Sequence, residues 1–289
     1  MIPLLDGYSL ITPAGVSEAL TLLADDPVAR PFAGGTDLMV LLEAGHLPRG
    51  RYVSLWGLRD LRGIAEHDDL VTVGALTTYR EMRQSDVLAS HYPMLVHAAS
   101  ETGGVATQNR GTIGGNIANA SPAADSPPAL LAYDASLELQ SASGSRRVDY
   151  RSFHTGYKKM DLRSGEIIAR VLLPARTTGW RDFYRKVGTR RAQAISKVCI
   201  AGSILMDHAM VADIRIAMGS VAPCVVRCQA AESALRGRPI DHRSIAAATS
   251  ALAGDIAPID DLRSTARYRL RVAQNLLSEF LSVSISSPA

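Results

Sequence analysis

The chain has 289 residues, of which 47% are hydrophobic, 20% charged and 5% aromatic, and its formal net charge is +3. This is enough apolar sequence for two or three cored domains and too much for a disordered chain. The charge gives no footprint for nucleic acid, and no apolar run approaches the ~18 residues of a membrane-spanning helix.

Taken in order, Ala19, Leu20, Leu22 and Leu23 follow Pro13 with helical spacing and predict a helix over Ser17–Ala24. Arg30–Ala33 reads as a strand running into Gly34–Gly35, and Leu38–Ala44 as a helix with Thr36 or Asp37 as N-cap and Gly45 as stop. Tyr52–Leu55 alternates as a strand. A second unit carries strands at Leu70–Gly74, Ser136–Gln140 and Glu166–Leu173, with helices at Tyr79–Ser85 and Met94–Ala99. After Gly179 the pattern changes to three neighbouring strands, Phe183–Val187, Val198–Met206 and Val211–Met218, the last two joined by a turn at Asp207–Ala209. Helices follow at Ala230–Leu235, Arg243–Leu252 and Ser264–Leu281. In the last, Leu270, Ala273, Leu277 and Phe280 share one face, while Arg263, Arg267 and Arg271 form a solvated one. Ser282–Ala289 reads as a frayed tail. The expected architecture is α+β, divided at residues 1–57, 58–177 and 178–289.

Two glycine pairs dominate: Pro31-Phe-Ala-Gly-Gly-Thr-Asp-Leu38 and Thr112-Ile-Gly-Gly-Asn-Ile-Ala-Asn119. Adjacent glycines take positive φ without a Cβ clash, so consecutive N–H groups can converge on an anion. The first pair also opens a helix, whose dipole favours phosphate. Asp37 beside a phosphate would repel it and suits a cap better. Neither G-x-G-x-x-G nor a P-loop occurs, which excludes the Rossmann and P-loop fingerprints. The second pair continues into Ser121-Pro-Ala-Ala-Asp-Ser-Pro-Pro128. There Asp125 is either the N-cap of a proline-started helix or a carboxylate for a ribose hydroxyl, and the residues alone leave both open. Cys199, Cys224 and Cys228 suit a reducing compartment and fall short of the four thiolates of an ordinary iron–sulfur cluster. Cys224-x3-Cys228 lacks the second ligand pair of a zinc site. Met1–Asp6 has no basic start and apolar core, so no signal peptide and a cytoplasmic location are expected.

Phe32-Ala-Gly-Gly-Thr-Asp-Leu38, Asn109-Arg-Gly-Thr-Ile-Gly-Gly-Asn-Ile-Ala118, Ser121-Pro122, Asp125, Gly165-Glu-Ile-Ile168 and Lys186-Val-Gly-x-Arg-Arg191 stand in one order along nearly the whole chain. Together they resemble the FAD-binding medium subunit of the xanthine dehydrogenase and carbon monoxide dehydrogenase family. The resemblance implies a PCMH-type, non-Rossmann FAD-binding domain of two subdomains. It implies a C-terminal domain of a three-stranded antiparallel sheet with helices. It also implies a set of FAD contacts: Ala33, Gly34, Gly35, Thr36, Asp37 and Leu38 around the pyrophosphate; Thr112, Ile113, Gly114, Gly115 and Asn116 facing it; Asp125 on the ribose; Ile168 at the adenine end; and Lys186 nearby. Thr102 and Gly103 match a further contact position, with Thr102 standing where some relatives carry an aromatic.

The implied role is an electron relay within a molybdenum hydroxylase. The partners are a small subunit with 2Fe-2S clusters and a large subunit with the molybdenum cofactor, assembled as a dimer of heterotrimers. No catalytic acid–base pair is evident in this chain, and a relay requires none, because the redox chemistry belongs to the flavin. The alternatives are a stand-alone FAD-dependent oxidase and a flavin-free structural subunit.

Overall fold

The structure, a computed structural model, describes residues 6–190 and 193–286. Residues 1–5 of the stretch read for a leader, Arg191 of the basic motif and residues 287–289 of the tail lie outside the described residues.

The first unit is a parallel sheet ordered β1-β3-β2, from β1 (Tyr8–Ile11), β2 (Arg30–Phe32) and β3 (Gly50–Ser54). Its crossovers carry α1 (Val16–Asp25) and α2 (Leu38–Glu43). The predicted periodicity of α1 places Ala19, Leu20 and Leu23 in a core with Val53 and Leu55. By contrast α2, with the apolar sequence LMVLLE, buries none of its residues. β1 escaped the sequence reading because it is a half-exposed edge strand with no strict alternation.

The second unit is a five-stranded antiparallel sheet ordered β4-β5-β10-β6-β7. Its strands are β4 (Ile64–Glu66), β5 (Leu70–Gly74), β6 (Ser136–Ser141), β7 (Gly144–Asp149) and β10 (Ile167–Pro174). The central β10 is almost wholly buried, which explains its continuous apolar sequence IIARVLLP. Between β5 and β6 run α3 (Tyr79–Arg83), α4 (Asp86–His91), α5 (Pro93–Glu101), α6 (Val105–Arg110), α7 (Ile113–Asn119) and α8 (Ser126–Ala132). α9 (Tyr150–Phe153) and a small hairpin, β8 (His154–Gly156) with β9 (Lys159–Met160), follow β7. A capping box between Thr78 and Glu81 starts α3.

The third unit is an antiparallel sheet of four strands, where three were expected. β11 (Trp180–Val187), β12 (Val198–Asp207) and β13 (Met210–Gly219) match the reading, and β14 (Val226–Arg227) adds a two-residue edge too short to leave a pattern. On β12 the side chains alternate. Cys199 and Ala201 join the core of the second unit, whereas Val198, Ile200 and Ile204 face α10 (Gln229–Ser233), α11 (His242–Asp255) and α12 (Ala266–Ser286). Small residues on the first face let α8 lie against the sheet, and every residue of α8 is buried. The tail expected to fray from Ser282 instead continues α12 to Ser286, with Ser284 buried and its Oγ donating to the Phe280 carbonyl at 2.7 Å. The arginine row Arg263, Arg267 and Arg271 is exposed, as expected.

Candidate functional site

The first glycine pair sits at the C-terminal edge of the parallel sheet, where ligands of open α/β sheets bind. Gly35 has φ +78, a conformation glycine adopts without strain. Among the described residues, the N–H groups of Gly34, Gly35, Thr36 and Asp37 donate to no other protein group. They form a run of unspent donors suited to an anion. At six residues α2 adds little dipole, so the donors themselves carry the attraction. Asp37 occupies the N-cap position but makes no capping bond. Its Oδ1 accepts instead from Asn119 Nδ2 at 3.2 Å, and Lys158 Nζ donates to the Asn119 carbonyl at 2.7 Å and to Asn119 Oδ1.

The second pair is built differently from the expectation. Thr112–Asn116 starts α7 after the short α6 and Gly111, not after a strand, and neither Gly114 nor Gly115 has positive φ. Its donors are already used: Ile113 N–H on Thr77 O (3.0 Å), Gly114 N–H on Ala75 O (2.8 Å), Gly115 N–H on Thr112 Oγ1 (3.1 Å) and Asn116 N–H on Thr112 O (2.9 Å). These glycines serve close approach. A Cβ on Gly114 would lie 2.6 Å from the Ala75 Cβ, so α7 packs directly on the end of β5. Gly115 is exposed, and a Cβ there would meet only Thr112 Oγ1, at 2.9 Å.

The two motifs meet. A Cβ on Gly34 would stand 1.8 Å from the carbonyl oxygen of Arg110, so the first loop touches the backbone that leads into the second. Trp56, just beyond β3, lies under the Arg110 guanidinium at 3.7 Å.

Asp125 lies at the start of α8 and is 6% exposed, yet it makes no capping bond, which removes the cap reading. Its Oδ2 accepts from Lys186 Nζ at 2.8 Å, and the same ammonium donates to the Glu101 carbonyl at 2.9 Å. Asp125 Oδ1, Ser126 Oγ and Asn116 Oδ1 are buried with no partner among the described residues. Such atoms are costly unless something bonds them. Burial pushes the Asp125 carboxyl up to about 6, against the pull of Lys186. The Tyr184 hydroxyl donates to the Asp125 carbonyl at 3.1 Å. Thr102 and Gly103 follow Glu101 at the end of α5, Gly103 with φ +58. Ile168 is buried in β10 beside Ala169, whose carbonyl accepts from Ala75 N–H. The Ile168 side chain shares a core with Ile113 and Ile117 of α7. Arg110, Asn119, Trp56, Glu101 and Ser126 belong to this neighbourhood, but the sequence reading gave them no role in it. Arg110 and Asn119 stood inside or at the end of the quoted motifs, and nothing in their spacing marked them.

Unspent N–H donors at a parallel-sheet edge, together with a buried carboxylate in the next unit that has one unbonded oxygen, suit a dinucleotide-type ligand on a non-Rossmann fold. Residues 6–176 match the family model described as the FAD binding domain in molybdopterin dehydrogenase, and residues 183–283 that of the CO dehydrogenase flavoprotein C-terminal domain. The chain is 33% identical over 279 residues to the xanthine dehydrogenase FAD-binding subunit of Escherichia coli O157:H7, covering 95% of this chain and 94% of that one. It is 29% identical over 275 residues to the carbon monoxide dehydrogenase medium chain of Hydrogenophaga pseudoflava, covering 93% and 94%. A solved carbon monoxide dehydrogenase from that organism, lacking the Mo-pyranopterin moiety, superposes with a TM-score of 0.92 at 29% identity over 96% of each chain. The chain belongs to the family of FAD-binding subunits of the molybdopterin dehydrogenases, and is an oxidoreductase subunit. No helix of the described residues is long and apolar enough to cross a membrane.

Proposed function

We propose that this chain holds FAD in the seam between the two glycine motifs and relays electrons from a 2Fe-2S partner subunit to an external acceptor. The observation that carries the reading is the run of unspent N–H groups at Gly34, Gly35, Thr36 and Asp37, closed by the Arg110 backbone. In this reading Ala33 to Leu38 wrap the pyrophosphate. Gly115 offers bare backbone opposite, while Thr112, Ile113, Gly114 and Asn116 hold it in place. Asp125 Oδ1 accepts from a ribose-type hydroxyl, and Lys186 keeps that carboxylate charged. Thr102 and Gly103 border the same pocket, and Ile168 packs at the adenine end.

When bound, FAD supplies exchange of electrons singly or in pairs, which joins one-electron clusters to two-electron acceptors. The protein binds, orients and sets the local charge. The names of the relatives, FAD-binding subunit and medium chain, support membership of a multi-subunit complex; in this reading the partners are a small 2Fe-2S subunit and a large molybdenum-cofactor subunit, assembled as a dimer of heterotrimers in the cytoplasm. In this reading the FAD-binding subdomains span 1–57 and 58–177 and the C-terminal domain spans 178–289. The test is anaerobic addition of substrate to the copurified complex and to the isolated chain. The flavin should bleach in the complex alone. Turnover of an organic substrate by the isolated chain would replace this reading with that of a stand-alone oxidase.

A further inference from the structure

We infer that Arg110 is a positioning residue that clamps the first glycine loop against the rest of the site, an inference that rests on the FAD-binding reading above. The proposed pocket is divided. Its free N–H donors belong to the parallel-sheet unit, whereas Gly115, Asn116 and Asp125 belong to the next unit. A ligand spanning that seam binds well only if the separation is fixed beforehand, since ordering the two halves on binding would cost affinity.

Arg110 bridges the seam by three contacts. Its carbonyl oxygen occupies the space a Gly34 Cβ would need. Its Nε donates to the Gly34 carbonyl at 3.4 Å. Its guanidinium lies 3.7 Å over the Trp56 ring, a cation–π geometry. Both contacted residues stand at one edge of the parallel sheet, because the Leu55 N–H beside Trp56 donates to the Phe32 carbonyl at 2.8 Å, two residues before Gly34.

The base of the clamp is rigid. The Gly111 N–H donates to the Thr107 carbonyl at 2.6 Å, and the Gly111 carbonyl accepts from Tyr79 N–H at 3.2 Å. Trp56 is braced as well: the Arg62 guanidinium lies 4.7 Å from the same ring and is held by Glu81 at 3.2 Å. Arg110 also brings a fixed cation beside the donors proposed to take a diphosphate. Being an exposed side chain, it contributes little to a core. Its loss should therefore be felt in the ligand and not in the fold.

The experiment titrates the full apo chain with FAD by flavin fluorescence, alongside apo melting curves. Arg110→Ala and Trp56→Ala should each weaken FAD binding about tenfold with apo melting near that of the wild type. Trp56→Phe, which keeps a ring under the guanidinium, should bind nearly as the wild type. The double variant Arg110→Ala/Trp56→Ala should be little worse than Arg110→Ala alone, since the two residues act as one contact. Wild-type affinity in Arg110→Ala, additive losses in the double variant, or losses matched by a fall in apo melting would each overturn the clamp while leaving FAD binding intact. A wild-type chain that takes up no FAD would instead overturn the flavin reading itself, and the clamp with it.

Discussion

Lys186 Nζ lies 2.8 Å from Asp125 Oδ2, so a lysine on the C-terminal sheet holds a carboxylate at the start of α8, with both side chains almost fully buried. The pairing uses one carboxylate oxygen and leaves Oδ1 unbonded. Removing the ammonium by Lys186→Met strands a buried charge and is expected to cost about 3–5 kcal/mol of stability, measured by urea unfolding. Asp125→Asn should weaken FAD binding by roughly tenfold to a hundredfold, since a hydrogen bond to a charged group contributes about 1.5–3 kcal/mol. An unchanged dissociation constant would remove Asp125 from the site.

The same pair sets a pH dependence. Burial raises the Asp125 carboxyl from 3.8 to about 6. The folded apo chain thus holds this proton more tightly than the unfolded chain does. That contribution to apo stability is complete below pH 3.8 and is lost as pH rises through about 6. FAD binding runs in the opposite sense, because a hydroxyl donor favours the carboxylate. Affinity should rise from about pH 5 to about pH 7 and then level off, with the rise absent in Asp125→Asn. A flat wild-type profile, or a rise that survives in the variant, contradicts this assignment.

Gly34 and Gly115 are expected to behave differently from one another. Gly34→Ala drives a Cβ to within 1.8 Å of the Arg110 carbonyl, backbone against backbone, and should separate the two loops. Both FAD binding and melting temperature should fall. Gly115→Ala adds a methyl on an exposed helical position, where alanine is favoured by about 1 kcal/mol over glycine. The methyl would lie 2.9 Å from the capping Thr112 Oγ1, which must give way and offsets that gain, so melting should change little while FAD binding drops, because the methyl enters the proposed pyrophosphate space. Equal effects of the two substitutions on melting would contradict the geometry.

Another charge cluster, with Arg227 and Glu232 buried, lies away from the site. Arg227 pairs with Glu232 and with Asp134 at 2.6 Å, and Glu232 also accepts from the Ile216 N–H at 2.7 Å. Glu232→Ala leaves a buried guanidinium half-paired and an orphan backbone donor. It should cost about 3–5 kcal/mol, read from denaturant midpoints, and Glu232→Gln should recover part of the loss.

Much of this was legible in the sequence, for identifiable reasons. Strands such as Leu70–Gly74 and the helix of Leu270, Ala273, Leu277 and Phe280 carry strong one-face patterns, and they appear where expected. The glycine pairs drew attention to the candidate site, but composition could not tell that one pair is a loop with a positive-φ glycine and unspent donors and the other a capped helix with none to spare. Local spacing likewise could not assign Asp125. Its partner Lys186 is 61 positions away, so the choice between cap and ligand depended on tertiary placement. Arg269, buried and donating to the carbonyls of Lys197 and Ser220, lies on the same helix as the exposed Arg267 and Arg271, and nothing in its spacing marks it as buried.

The central claim is that this chain itself carries FAD across the seam of its two glycine motifs. The most direct measurement is acid release of the flavin from the purified, carefully handled protein, followed by chromatographic identification and quantitation against protein concentration. The account predicts FAD in equimolar amount to the chain. Recovery of FMN, or of no flavin from chain that remains folded and is supplied with excess FAD, would contradict it.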